Sequence, residues 1–573
     1  MRRTLRAGYD GKAFRADLMS GVVVGIVALP LSMALAIATG VPPQHGLYTA
    51  IVAGAIVALL GGSKYQVTGP TAAFIVILAP IVSKHGLSGL LVAGLMAGVI
   101  LIAMGVARLG RLIQFIPHPV TTGFTAGIAT VIATLQVKDA FALPVPTMPE
   151  HYVEKVVALW EARHGASMAD AVVAALTLGL LLLLPRIIKT VPAPLLAIGA
   201  MTAGTALLHH YAPSFSVATI GSRFHATVGG HLVDGIPPIP PPPMLPWQGG
   251  ALTFDLVRGL VPAAFAIAML GAIESLLSAV IADGMTGKRH DSNAELIALG
   301  IGNVIAPFFG GIAATGALAR TATNVRAGAR SPISAVVHSA VVLLAILLLA
   351  PAVAFVPMAS LAGLLLLVAW NMSEVRHFAH VLKVAPKSDV FVMVTCFLLT
   401  VIVDMVAAVS VGVVLAALLF MRRMAELTRS RVLTSDKGES DHVVPQGVVL
   451  YEIAGPLFFG AAQRAMSGLD TVEHRARVVV LDLGAVPAID ATGLVALESA
   501  FERPRLMKKF IIIAGPLPEP RKVFDKAKLE HQEHIVFADS IDLALHMARD
   551  LIALNPQWAQ APLSTPLPGA VQR

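Results

Sequence analysis

Cysteine is almost missing: Cys396 is the single one in 573 residues. A disulfide framework is therefore excluded, and so is a zinc or iron–sulfur site built from cysteines. Charge is scarce as well. Asp, Glu, Lys and Arg make up 13% of the chain against 56% hydrophobic residues, with a mean hydropathy of +0.78. This excludes an ordinary soluble protein and indicates a polytopic membrane protein with a soluble appendage. No phosphate-binding loop of the Gly-x-x-x-x-Gly-Lys type and no His-Glu-x-x-His helix occurs, so an ATP-driven pump or a zinc peptidase has no support. Nor does a nucleophile–base or metal pattern stand out, so neither an enzyme, a metal nor a cofactor is expected. The first apolar run begins after Asp17 and is too long for a cleaved signal. The net charge of +8 does not point to nucleic acid, because the basic residues sit in loops beside apolar segments.

Apolar segments run at roughly 18–39, 47–61, 67–82, 87–107, 120–137, 168–184 and 192–209. After the proline-rich stretch 237–246 a second set follows at 256–282, 294–309, 314–326, 331–350, 359–372, 388–403 and 405–421. With the N-terminus inside, the inner loops carry Arg108, Arg111, Arg186, Lys288, Arg289, Arg326, Arg330 and Arg422, while the outer loops carry few basic residues, among them Lys138, Lys155 and Arg223. This bias predicts fourteen spans with both termini cytoplasmic. An odd number of spans per half makes the halves inverted repeats, the usual basis of alternating access.

Two stretches break the apolar pattern at matching places. Residues 61–74 read GGSKYQVTGPTAAF and residues 310–329 read GGIAATGALARTATNVRAGA. Each follows an apolar segment, opens with Gly-Gly and reaches Thr-Gly soon after, at Thr68-Gly69 and Thr315-Gly316. Short glycine- or proline-interrupted segments in corresponding positions point to a transporter's central site. The expectation is two half-helices that begin near mid-membrane with their N-termini turned toward one substrate. The first turn of a helix has unpaired N–H groups and a partial positive charge, which makes an anion site in low dielectric. Thr71, Ala72, Ala73, Gly316, Ala317 and Leu318 are the expected substrate contacts, and Arg320 adds a full positive charge at bilayer depth.

Glu274, in LGAIESLLSAV, lies deep in an apolar segment, with Ser278 four residues on and on the same side of a helix. A carboxyl in a dry site can hold a proton near neutral pH. With Arg320 nearby, an arriving anion and a proton would favour each other's binding. Glu274 is therefore the expected proton-coupling residue and Ser278 a further substrate contact. Asp404 reads as a turn between segments, Asn303 as a helix–helix contact, and Pro30 as a kink in the first span.

Beyond Arg423 the pattern changes. Residues 424–445 read as a linker, and strands and helices alternate over 446–554, which suggests a small mixed sheet with helices. The tail 555–573, with four prolines, is expected to be disordered.

Taken together, the chain resembles the SulP family of anion transporters (solute carrier family 26). The likeness lies in ALPLSMALA (28–36), VTGPTAA (67–73), GAIESLLSAV (271–280), GNVIAPFFGGI (302–312), ARTATNVRAGARSP (319–332) and VAWNMSE (368–374). The soluble part resembles a STAS domain through GPLFFGAA (455–462) and VPAIDATGL (486–494). The resemblance implies an α-helical membrane domain over 18–423, with a core (segments 1–4 and 8–11) moving against a gate (5–7 and 12–14), in a homodimer of the bacterial inner membrane. Many relatives have Gln and Tyr in the first motif where this chain has Leu31 and Leu35. In sodium-coupled bicarbonate members an aspartate and a threonine help hold sodium; the matching positions here are Glu274 and Leu318. Leu318 cannot ligate a hard cation, which favours protons. The motif wording is most similar to the bacterial C4-dicarboxylate branch, with succinate or fumarate as the implied anion; sulfate and bicarbonate would suit the same groups. An uncoupled exchanger or channel, or a sensor signalling through the STAS domain, are the alternatives. In STAS relatives that antagonise anti-sigma factors, a serine in a D-S-S-G turn is phosphorylated. Here Thr492 matches it, after Asp490, and helix capping by these two residues is the competing reading. A cytoplasmic protein partner of the STAS domain is implied in the same way.

Overall fold

Helices account for nearly all of the membrane part because its apolar segments cannot leave backbone groups unpaired in lipid. The computed structural model describes residues 9–554, apart from 112–116, 147, 150, 189–190, 213–214, 249, 251, 435–442, 459–460, 467–475 and 507–508. The basic cluster at 2–6 and the tail expected at 555–573 lie outside these residues. The chain divides into two units, Met1–Ala416 and Ala417–Arg573.

In the first unit, α1 (Gly11–Thr39) and α2 (Pro43–Leu60) lead to a two-residue strand, β1 (Thr68–Gly69). A single 3-10 turn at Ala72–Phe74 then opens α3 (Ile75–Val106). α4 (His118–Ala140), α5 (Tyr152–Glu161), α6 (Met168–Ile187) and α7 (Ala193–Tyr211) follow. A hairpin of β2 (His225–Val228) and β3 (His231–Asp234) precedes α8 (Phe254–Thr286) and α9 (Ser292–Ile305). Next come β4 (Thr315–Gly316), α10 (Leu318–Arg326), α11 (Ile333–Val353), α12 (Met358–Ser373), α13 (Val375–Val384) and α14 (Lys387–Ile402), and then α15 (Met405–Leu427), within which the boundary between the units falls. All fourteen expected segments fall on these elements. The segments expected at 67–82 and 87–107 correspond to two helical stretches, counted together as α3, that are separated at Gly86, whose φ of 66° and ψ of −169° are not helical. Ten helical stretches among the described residues are long and apolar enough to cross a membrane, and α10, with nine residues, is not one of them.

The helices form two groups. α1, α2, α3, α8, α9, α10 and α11 pack on one another, and α4, α6, α12 and α14 pack on one another. Within the first group, α3 and α9 touch through glycine. A Cβ at Gly98 would sit 2.7 Å from the Gly300 oxygen, and one at Gly300 would sit 2.6 Å from the Gly98 oxygen. Small residues at such a contact let the two backbones approach closely. Asp17, expected to end a cytoplasmic segment, lies inside α1 and is fully buried. Its carboxylate accepts from the backbone N–H of Arg330 (2.6 Å) and Ser331 (3.0 Å), from the Ser331 hydroxyl and from the Tyr9 hydroxyl (2.7 Å), tying α1 to the loop after α10. Asp404 accepts from the Ala407 N–H at 2.8 Å, as a turn residue at a helix start does.

In the second unit, β5 (Arg429–Thr434), β6 (Val448–Ala454), β7 (Val478–Ala485), β8 (Phe510–Ala514) and β9 (Ile535–Ala538) form one sheet in that order. β5 runs antiparallel to β6, and the remaining pairs are parallel. α16 (Ala491–Leu506), α17 (Pro518–Lys526) and α18 (Ile541–Ala553) complete it. Val479 and Leu481 of β7 join one core with Phe501 and Phe524, while Val478 and Val480 join another with Ala544 and Leu545. Both faces are thus covered, which is why the strands read as unbroken apolar runs. The stretch read as a linker is corrected in part: residues 429–434 are a strand, because pairing from Arg429↔Ala454 to Thr434↔Val449 satisfies their backbone.

Gly98→Val should overpack the α3–α9 contact, at a cost of about 1–3 kcal/mol. The expected result is a lower midpoint of thermal unfolding for the detergent-solubilised protein than for the native chain. An unchanged midpoint would show that the helices do not meet there.

Candidate functional site

The two duplicated stretches meet. β1 and β4 pair antiparallel, Thr68 opposite Gly316 and Gly69 opposite Thr315. The Ala317 N–H donates to the Val67 oxygen at 2.8 Å and extends the pairing. Immediately beyond β1 the chain turns helical at Ala72, and immediately beyond β4 at Leu318. Two helix starts therefore stand side by side, entered from opposite strands.

Neither start is capped by a side chain at its N-cap residue, Thr71 or Ala317. Elsewhere Asp10, Ser167, Thr253 and Asp291 cap their helices in the ordinary way. Thr71 has a capping hydroxyl but spends it on Glu274, donating to Oε2 at 2.7 Å. The first N–H groups of both helices are left to a ligand or to solvent.

Arg320 is the third residue of α10, within its first turn, and is 2% exposed. Its Nη2 donates to the Pro70 oxygen, while Nε and Nη1 have no hydrogen-bond partner among the described residues. A Cβ at Gly69 would come within 2.6 Å of Nη1, so only glycine lets the guanidinium lie against β1. Glu274 on α8 is within electrostatic reach of Arg320. Gly316 is constrained likewise, since a Cβ there would lie 2.2 Å from the Gln66 Nε2. Gln66 donates in turn to the Ser275 hydroxyl at 2.5 Å.

The structure thus brings Thr71, Ala72, Ala73, Gly316, Ala317, Arg320 and Glu274 to one place. Thr71 and Glu274 are half-buried, and Leu318 is 41% exposed at the first position of α10. Ser278 is set apart: it is fully buried and donates to the Thr321 hydroxyl at 3.0 Å, which accepts in turn from the Val67 N–H at 3.1 Å. It braces the site from behind. Asn303 does more than join helices. Its amide donates to the oxygens of Leu299 and Ala314, and its Oδ1 accepts from the Ala314 N–H at 2.8 Å, which holds the unwound chain entering β4. In the second unit, the Asp490 carboxylate accepts from the Gly493 N–H at 2.7 Å and so caps α16, with Thr492 exposed on its first turn.

Several residues of this framework were not singled out by the sequence reading. Asn324 donates to the Tyr65 oxygen (2.8 Å) and the Ser334 hydroxyl (2.9 Å) and accepts from the Ser20 hydroxyl (2.6 Å), so it locks the far end of α10. His338 on α11 is fully buried within electrostatic reach of Arg320. The available signal was polarity within the two broken stretches, where Gln66 and Asn324 both occur.

The sequence model of the Sulfate permease family matches residues 14–396, and that of the STAS domain matches 440–544. The chain belongs to the sulfate permease family. It is a membrane transporter with a STAS domain, not an enzyme. It is 40% identical over 526 residues to the protein YvdB of Bacillus subtilis (strain 168), covering 92% of this chain and 96% of that one. It is 29% identical over 539 residues to the bicarbonate transporter BicA of Picosynechococcus, covering 90% and 91%. Its fold matches the murine Solute Carrier 26 family member A9 anion transporter in the inward-facing state with a TM-score of 0.81, at 18% identity, over 95% of this chain and 93% of that chain.

Arg320→Ala removes a buried charge next to two uncapped helix starts. Hydrogen bonds to charged groups are worth about 1.5–3 kcal/mol. Anion binding to the purified protein, followed by calorimetry, should weaken by about ten- to a hundredfold at the same elution profile. Unchanged affinity would remove Arg320 from the site.

Proposed function

We propose that this permease carries a small anion across the inner membrane together with a proton, by alternating access. The observation that carries the proposal is the meeting of two uncapped helix starts beside Arg320, with Glu274 held by Thr71 at the same place. Fixed backbone dipoles and one guanidinium suit an anion without demanding a particular shape, because N–H groups meet carboxylate and oxyanion oxygens alike. The family description supports sulfate, and the name of BicA supports bicarbonate. The motif wording in the membrane part favours a C4-dicarboxylate such as succinate or fumarate. Thr71, Ala72, Ala73, Gly316, Ala317 and Leu318 form the anion contacts in this reading, and Ser278 acts through Thr321.

Glu274 supplies the coupling. As a carboxylate it repels an anion seated at the helix starts; protonated, it does not. Anion and proton therefore favour each other's binding, and by reciprocity binding of the anion takes up protons. The first helix group, which carries all these residues, moves as a core against a gate of α4, α6, α7, α12, α14 and α15. Inside-out asymmetry of basic residues favours both termini in the cytoplasm, and a homodimer is the working assembly. The exposed Thr492 on the capped start of α16 is a candidate for phosphorylation, read by a cytoplasmic protein.

The test is uptake of labelled succinate, sulfate and bicarbonate into proteoliposomes with and without an inward proton gradient. At least one anion should be accelerated by the gradient. Glu274→Gln imitates the permanently protonated carboxyl: it should still bind that anion, more tightly than the native protein at high pH, yet lose the acceleration. A Gln variant that concentrates substrate with the gradient as well as native protein does would exclude Glu274 from coupling.

A further inference from the structure

A cavity of about 540 Å³ opens between the two helix groups, walled by α1 and α3 on one side and α4 on the other. Its position along the membrane follows from chain direction. α1 enters at Gly11 and reaches the cavity at Ile37–Gly40, so the mouth lies at the face opposite the N-terminus. Its inner end is set by Ile75 and Val76, on the first turn of α3, directly after the Ala72–Phe74 turn.

One helical face connects the two. Ala72, Val76, Ala79 and Ser83 are spaced by four, three and four residues and share one side of the helix that begins at the site, and the last three line the cavity. Across from them, α4 contributes Val131 and Leu135, and then Lys138 and Asp139 near the mouth. The walls along this depth are mostly apolar, with Thr39, Ser83 and Gln136 as polar exceptions, and the charged groups gather at the mouth. Among the described residues, the charged lining groups are Lys138, Lys155, Arg223 and Asp139, three cations against one carboxylate. Arg223 is fixed there by an ion pair with Asp139 at 2.5 Å, and its segment is docked by the Ile220 N–H donating to the Val356 oxygen at 3.0 Å. A low-dielectric cleft with charge of one sign at its mouth focuses field lines and concentrates ions of the opposite sign.

We infer that this cavity is an anion-capture vestibule, in which Lys138 and its cationic neighbours draw a small anion from the face opposite the N-terminus toward Ala72. The inference rests on the anion-transport reading above. It adds a place where the anion is gathered before it reaches the helix starts, and a residue, Lys138, that acts on arrival rather than on final binding.

Because Cys396 is the single cysteine, Cys396→Ser gives a background in which one new thiol reports on the cavity. Val76→Cys and Ser83→Cys place that thiol at the inner end and at the mouth. Each is treated, from the face opposite the N-terminus, with a membrane-impermeant anionic and then a cationic methanethiosulfonate of similar size, and rates are divided by those of a free thiol in solution. Both positions should react, and the anionic reagent should be favoured. Lys138→Glu should lower the anionic-to-cationic ratio by about threefold or more, Lys138→Gln by less, and added salt should collapse the difference. In the same vesicles, Lys138→Glu should raise KM severalfold for the transported anion offered at that face and leave KM at the other face alone. Thiol reactivity needs no transport, so a protein that carried no anion would still give a reading. A ratio untouched by either Lys138 substitution, or a Val76→Cys thiol that neither reagent reaches, would overturn the vestibule.

Discussion

The antiparallel pairing of Thr68-Gly69 with Thr315-Gly316 is the contact on which the rest of the membrane domain depends. Irregular backbone is tolerated at membrane depth only where protein or a polar cavity satisfies it. Here each broken stretch satisfies the other. The pairing fixes the separation and direction of two helix starts, and so turns two partial charges into one site. Slipping the register by one residue would exchange the faces of Thr68 and Gly69 and push a Cβ toward the guanidinium of Arg320.

Around the pairing, polar groups are arranged at two distances from the helix starts. The near ones keep unused capacity: the uncapped N–H groups, the Nε and Nη1 of Arg320 and the half-buried Glu274 carboxyl. Many of the far ones are paired, although the Gln66 Oε1, the Thr68 hydroxyl and both His338 ring nitrogens have no hydrogen-bond partner among the described residues. Asn303 clamps the chain entering β4, Asn324 and Asp17 hold the exit of α10, and Ser278 reaches the Val67 N–H through Thr321. These paired groups hold the open donors in place, which is what electrostatic binding in a dry site requires.

The two broken stretches were legible in the sequence because glycine, proline and a lone arginine interrupt otherwise unbroken apolar runs. Their pairing was not, since hydropathy carries no register and a two-residue strand has no periodicity to detect. For the same reason the role of Gln66, bonded across to Ser275 on α8, could not be read from its own neighbourhood. Ser278 lies on a helix face that meets α10, where it bonds to Thr321, and only packing decides which neighbour such a face meets. α5 and α13 do not show as apolar runs because each is a ten-residue helix with polar residues along one side. β5 escaped because its strand reads Arg-Ser-Arg-Val-Leu-Thr, polar at one end and supported by its partner rather than by its own composition.

The central claim is that one anion sits between the two helix starts. Its most direct measurement is the position of that anion in a cryo-electron microscopy structure of the full chain, collected with a saturating concentration of whichever anion the uptake assay identifies. The account predicts density within hydrogen-bond reach of backbone N–H groups at both Ala72–Phe74 and Leu318–Arg320, beside the Arg320 guanidinium. Density in contact with only one of the two helix starts, or bound elsewhere in the membrane domain with this place empty, would contradict it.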